Sequence, residues 1–221
     1  MDVQFPYADG GSRRRLLYRL PSTPAPRRLL IVCTDAEQAR IGDDWGAPVQ
    51  VLAPSALAAE RQQGPARFDA VALPALLDRP SAVDTGELLA SVRYLLAPAG
   101  VVVGHVAHAL ALRSMASPRG MAGALAALLQ PQAIDRAGGC RRRLLGAGFV
   151  APQCFYVQPA IEDPMGLIPA QGPAARAHFV QSVRSTRELH HVLGHVPRLL
   201  MAHGGLGGMM QAQLFFWARR P

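Results

Sequence analysis

Two stretches of the chain carry residues whose types and spacing could do chemistry. In Glu188-Leu189-His190-His191-Val192-Leu193-Gly194-His195, His191 and His195 stand four apart. A helix puts both imidazoles on one face, where they can share a divalent metal. Glu188 lies one turn before His191 on the same side and is the candidate third ligand. The order differs from the His-Glu-x-x-His of zinc proteases, because no glutamate follows the first histidine of the pair. The bland alternative is a histidine-rich polar face. Elsewhere, His105 and His108 flank the end of an apolar run, where open α/β sheets put their ligand crevice. His108, just past the run, is the candidate general base toward a hydroxyl or amine. His105 is expected to be a strand residue satisfied by a neighbour. Asp78 and Asp35 lie beyond strand ends on the same rim. Asp78 is the candidate catalytic acid there, and a helix cap or loop acid is the alternative for both.

Composition removes several chemistries. The chain has no lysine and no asparagine, and all 23 basic residues are arginine. That excludes a Schiff base, a pyridoxal-phosphate anchor, a P-loop lysine and an N-glycosylation acceptor. Both missing residues use A-rich codons, so a GC-rich bacterial source is the simplest explanation. No Gly-x-Ser-x-Gly elbow supplies a hydrolase nucleophile. The run Gly204-Gly205-Leu206-Gly207-Gly208 precedes a strand, whereas a phosphate cradle needs a following helix. Cys33, Cys140 and Cys154 form no CxxC pair, which points to a reducing compartment and away from a thiolate zinc site. Met1-Asp2-Val3-Gln4 has no basic start followed by an apolar run, and no apolar stretch is long enough to span a bilayer. A cytoplasmic protein without a membrane partner is expected. Net charge is +8, gathered partly in Arg13-Arg14-Arg15, Arg27-Arg28, Arg141-Arg142-Arg143 and Arg219-Arg220. These clusters are scattered and lack interleaved stacking aromatics, so solubilising arginine is the expected use and nucleic acid an unlikely partner.

The elements that must position these residues follow a repeating pattern. Residues 3–20 read as a β-hairpin, with arms Val3–Tyr7 and Leu16–Leu20 around Asp9-Gly10-Gly11, followed by a Pro-rich linker to residue 26. The expected domain runs from 27 to 221. Arg28–Thr34, Val49–Leu52 and Phe68–Leu73 are continuous apolar runs of the kind parallel strands show. A short helix over 55–62 is expected to start on a Ser55 cap. Leu88, Leu89, Val92, Leu95 and Leu96 give Thr85–Leu96 a helical stripe, stopped by Pro98-Ala99-Gly100 before strand Val101–Val103. Helices are expected at 121–130, Cys140–Leu145 and about 174–200. Phe149–Val157 reads as a strand broken by Pro152, Pro159–Pro173 as a proline-rich connector, and Gln211–Arg219 as the last strand. Alternating strands and helices imply a three-layer α/β fold around a mostly parallel sheet.

One region carries a family resemblance. Phe68-Asp69-Ala70-Val71-Ala72-Leu73-Pro74, the helix to Leu96, and Ala97-Pro98-Ala99-Gly100-Val101-Val102-Val103 resemble the fourth strand, helix, turn and fifth strand of class I S-adenosylmethionine-dependent methyltransferases. Leu144-Leu145-Gly146-Ala147-Gly148-Phe149 is similar to that family's entry into strand six, and Leu214–Arg219 to its antiparallel seventh strand. The resemblance implies a Rossmann-like methyltransferase fold, shortened in its first half, with an antiparallel last strand. It also implies a glycine-rich loop after strand one and an acid after strand two. Here Cys33-Thr34-Asp35-Ala36-Glu37-Gln38 stands at the first place and Ala53-Pro54 at the second. Side chains obstruct the close backbone approach that glycine allows. The expectation is therefore a methyltransferase-like protein with a degraded cofactor site and no cofactor, an accessory or partner-binding subunit in a bacterial biosynthetic pathway, associating with a protein partner or with itself. The alternative is an active methyltransferase on a small acidic or aromatic acceptor, with Thr34 and Asp35 at the cofactor and His108 and Asp78 in catalysis. A second alternative is a metal-dependent enzyme or metal-binding module on His191 and His195.

Overall fold

Short runs of Val, Ile and Leu without alternation can bury both faces only inside a sheet that is covered on both sides. The computed structural model describes residues 3–4, 18, 26–34, 39–43, 45–74, 84–107, 137–159, 161, 164–170 and 213–221. Eight strands form one sheet among them: β1 (Val3–Gln4), β2 (Leu29–Val32), β3 (Val49–Leu52), β4 (Phe68–Leu73), β5 (Leu96–Ala107), β6 (Val150–Pro159), β7 (Pro164–Pro169) and β8 (Gln213–Arg219). Their order is β1-β7-β6-β8-β5-β4-β2-β3. The block β3-β2-β4-β5 is parallel, and β8 lies antiparallel between β5 and β6. The mostly parallel sheet with an antiparallel last strand is thus as expected. The short first half is visible as well, with only β2 and β3 on that side of β4.

The described helices α1 (Leu57–Gln62), α2 (Thr85–Leu95) and α3 (Ala137–Gly146) bury Leu57, Leu88, Leu89, Val92, Leu95, Cys140 and Leu144 in one cluster with Val71, Leu73, Val102 and Phe216 of the sheet. The opposite face carries Ala70, Ala72, Val103 and Phe215, covered by Tyr18, Ile41 and Trp45. Asp84 starts α2 by accepting the Gly86 N–H at 2.8 Å. The α1 start differs from expectation. A 3₁₀ turn over Pro54–Ala56 leads into it, and Ala56, not Ser55, is the cap position, without a side-chain bond.

Other departures have physical reasons. Val3–Gln4 pairs with Gly166 and Leu167 of β7, and Tyr18 is helical, so the hairpin's second arm is not a strand there. A short apolar run such as Leu16-Leu17-Tyr18 cannot by periodicity alone be told from a helix segment. The expected proline-rich connector contains β7, whose prolines stand at its two ends, where a missing N–H disturbs the ladder least. Strand six continues through Pro152 because the register shifts between Val150 and Gln153, with Ala151 at φ 47°. Pro98-Ala99-Gly100 is a bulge within β5, not a stop before it. There Ala99 N–H donates to the Arg220 carbonyl at 3.1 Å and Arg220 N–H to that of Gly100 at 2.8 Å. The helices expected at 121–130 and 174–200 lie outside the described residues. Among the described residues no helix is long and apolar enough to cross a membrane.

Candidate functional site

In an open α/β sheet, ligands settle at the carboxyl ends of the strands where the winding reverses. Here β3 lies outside β2 on one side while β4 and β5 extend the other, so the reversal falls between β2 and β4. Backbone pairing fixes what stands on that rim. Val32 faces Leu52 across the β2–β3 ladder, and Cys33 N–H extends it to the Leu52 carbonyl at 3.0 Å. Cys33 is buried, Thr34 is exposed, and on the neighbouring strand Pro74 is buried. The first residue beyond β3 is Ala53, exposed, and the chain turns there into the Pro54–Ala56 3₁₀ turn. The β2–β3 register thus sets Ala53 just past the strand end beside Cys33.

Gly42, the first glycine after β2, has a different task. A Cβ there would stand 2.7 Å from Ile31 Cδ1 and 3.1 Å from Val49 Cγ1. Its bareness lets the 3₁₀ turn Arg40–Gly42 lie flat on the sheet. Trp45, three residues on, is buried in the same layer.

At the next strand end the structure brings together a pair that sequence reasoning missed. His105 is 2% exposed and Tyr18 is fully buried, and the Tyr18 hydroxyl hydrogen-bonds His105 Nδ1. The Tyr18 ring packs edge-on to Phe215, centroids 5.5 Å apart, and Phe215 faces His105 across the β5–β8 ladder. His105 sits two residues below the end of β5, hence about 7 Å beneath the rim. As expected, His105 is a strand residue satisfied by a neighbour. No local signal could have named Tyr18, which lies 87 positions away. Nearby, Gln213 Oε1 accepts the Ile161 N–H at 2.6 Å, tying the β6–β7 connection to the start of β8.

Of the candidates read from the sequence, Thr34 alone is described, exposed at the end of β2. Asp35, Asp78 and His108 lie outside the described residues, as do Glu188, His191 and His195. Among the described residues no group of three His, Cys, Asp or Glu side chains could hold a metal ion.

A doubly wound sheet with an antiparallel strand between its fifth and sixth members defines a narrow class of α/β proteins. Solved structures identify it. A methyltransferase from Archaeoglobus fulgidus superposes with a TM-score of 0.58 at 11% identity, over 96% of this chain and 95% of that one. Phosphoethanolamine N-methyltransferase 2 of Haemonchus contortus, in complex with phosphomonomethylethanolamine and S-adenosylhomocysteine, gives 0.54 at 14% identity over 96% of this chain. The chain spans about half of that enzyme's length, 54%. No family model and no curated protein matches the sequence. The chain has the class I S-adenosylmethionine-dependent methyltransferase-like fold.

Proposed function

We propose that this protein keeps the methyltransferase scaffold without its usual cofactor chemistry and serves as an accessory, partner-binding subunit in a bacterial biosynthetic pathway. One observation supports the reading: Val32 pairs with Leu52 at the end of β2, and the residue that follows, where the resemblance implies an acid, is Ala53. A methyl group offers the two ribose hydroxyls no acceptor. Gly42 adds support, since its bareness is used in packing against Ile31 and Val49 and not at the strand end. A fold hosts many functions, so the scaffold's own chemistry does not decide the matter.

The test is a calorimetric titration of the purified chain with S-adenosylmethionine. The expected result is no saturable heat at millimolar ligand. A dissociation constant in the micromolar range would overturn the proposal.

That outcome would favour a second reading, an active methyltransferase on a small-molecule acceptor. Two observations speak for it: the bound product in the nematode enzyme of similar fold, and the buried Tyr18–His105 pair below the rim. In that reading Thr34 and Asp35 face the cofactor, which supplies the methyl group. His108 and Asp78, beyond the ends of β5 and β4, handle the acceptor's proton. The Tyr18→Phe variant would then lower turnover while leaving cofactor affinity unchanged.

A further inference from the structure

We infer that the amino-end face of the sheet, opposite the crevice, docks an acidic surface of a partner protein. The arginines, scattered in the sequence, are gathered there by topology. Arg27-Arg28 precede β2 and Arg67 precedes β4. Strand β8 runs antiparallel, so it ends beside the starts of its neighbours, with Arg219 paired to both Val101 and Val150. Each of α1, α2 and α3 leads into a parallel strand and therefore finishes at this end, carrying Arg61, Arg93 and Arg143 in its last turn. Among the described arginines, Arg40 falls outside this grouping, and Arg141 and Arg142 stand in the middle of α3.

The groups are contiguous. The Arg61 guanidinium lies over the Tyr94 ring at 5.3 Å, and Arg220 Nη1 donates to the Tyr94 carbonyl at 3.3 Å. The Arg93 guanidinium covers Gly148, where a Cβ would be 2.9 Å from its Cζ. Glu60 and Asp69 at this end are already committed: Glu60 is buried against Arg67, and Asp69 accepts the N–H groups of Arg27 and Arg28 at 2.9 Å each. Asp84 and Glu87 stand in the opening turn of α2, at the other end of that helix. Helix C-termini attract one cation apiece, which accounts for Arg61, Arg93 and Arg143 but not for Arg27 or Arg28.

Exposed apolar side chains sit among the guanidinium groups: Tyr94 at 38%, Leu145 at 42% and Val150 at 43%. This mixture selects the partner. Single-stranded nucleic acid needs a series of stacking aromatics, and among the described residues Tyr94 is the one exposed aromatic ring of that kind here. A membrane needs apolar groups that protrude into the acyl region, whereas these are more than half covered. Flat apolar residues bordered by arginine, with tyrosine among them, are what protein interfaces use, and a guanidinium can hold a partner's carboxylate bidentately.

The probe is a fluorescent acidic peptide of about 20 residues built from Glu-Glu-Leu repeats, titrated by anisotropy at about 50 mM and 300 mM salt. Saturable binding is expected to weaken about tenfold or more in Arg61→Glu/Arg93→Glu and severalfold in Leu145→Asp, and to stay unchanged in Arg40→Glu. Arg28→Glu/Arg143→Glu gives the same reading if the first double variant does not fold. Equal loss in Arg40→Glu, or no loss in either double variant, would overturn the inference. So would tighter binding, through the same residues, to a DNA duplex of equal charge or to phosphatidylcholine–phosphatidylglycerol vesicles. The peptide reports on this face and S-adenosylmethionine on the crevice, so either proposal can fail alone.

Discussion

Cys140 on α3 and Cys154 on β6 are both buried in the helix-covered core. The hydrogen bond to the Cys154 thiol holds the proton on Cys140 well above the ordinary thiol range, and burial adds to it. A thiol kept protonated is a poor nucleophile. Native protein at pH 8 is therefore expected to leave Cys140 unalkylated by iodoacetamide over hours, with labelling complete in guanidinium; mass spectrometry of Cys140 peptides reads the difference. The folded state binds this proton more tightly than the unfolded chain. Its stabilisation is complete below the ordinary thiol pKa of about 8.5 and is lost as pH rises above it toward the folded value. Denaturation midpoints should fall between pH 8.5 and 10, and a Cys140→Ala variant should show a smaller fall. Two glycines make a second comparison at this scale. A Cβ at Gly104 would meet the Leu73 carbonyl at 3.0 Å and Phe216 Cζ at 2.7 Å, while one at Gly42 meets only side-chain ends of Ile31 and Val49. Backbone cannot yield as a methyl group can. Gly104→Ala is expected to cost about 2 kcal/mol, some 4–8 °C in melting temperature, and Gly42→Ala roughly half of that.

Between elements, the entry into the sheet is held by one carboxylate. Asp69, the second residue of β4, accepts both Arg27 and Arg28 N–H groups, and its own N–H donates to the Arg28 carbonyl at 3.0 Å. Asp69→Ala should cost about 1.5–3 kcal/mol, since bonds to a charged acceptor are the stronger kind. A urea midpoint unchanged within error would refute that role. Asp69 was legible in the sequence only as part of a strand, and the reason is general. A parallel strand buried on both faces announces itself by a run of apolar residues, and Phe68–Leu73 was read to the residue; the edge strand Val49–Leu52 was too, although its valines are exposed. Elements defined by long-range partners do not announce themselves. Strand β7 was hidden behind its own prolines, and β1 owes its pairing to residues more than 160 positions away. The site divides in the same manner. The rim residues Thr34 and Ala53 follow from strand ends that can be read locally, while the Tyr18–His105 bond joins residues 87 positions apart.

For the whole molecule, Tyr18 is a core residue that lies in sequence before the expected domain of residues 27–221. The ring has no exposed surface, packs on Phe215 in the centre of the sheet, and supplies the partner of a buried histidine. Two variants separate these contributions. Tyr18→Phe keeps the ring and removes the hydroxyl, leaving His105 Nδ1 without that partner, at an expected cost of about 1–2 kcal/mol. Deleting residues 1–25 removes the ring too, and emptying an aromatic site costs about 3–5 kcal/mol, equivalent to a drop of about 6–20 °C for a domain of this size. Because the ring belongs to the same cluster as Leu29, Ile31 and Val103, the truncated chain should still melt in one transition, at the lower temperature. A truncated chain melting where the full chain does would mean that residues 27–221 stabilise themselves without Tyr18. Two separate transitions in the full chain would divide the core that these contacts join.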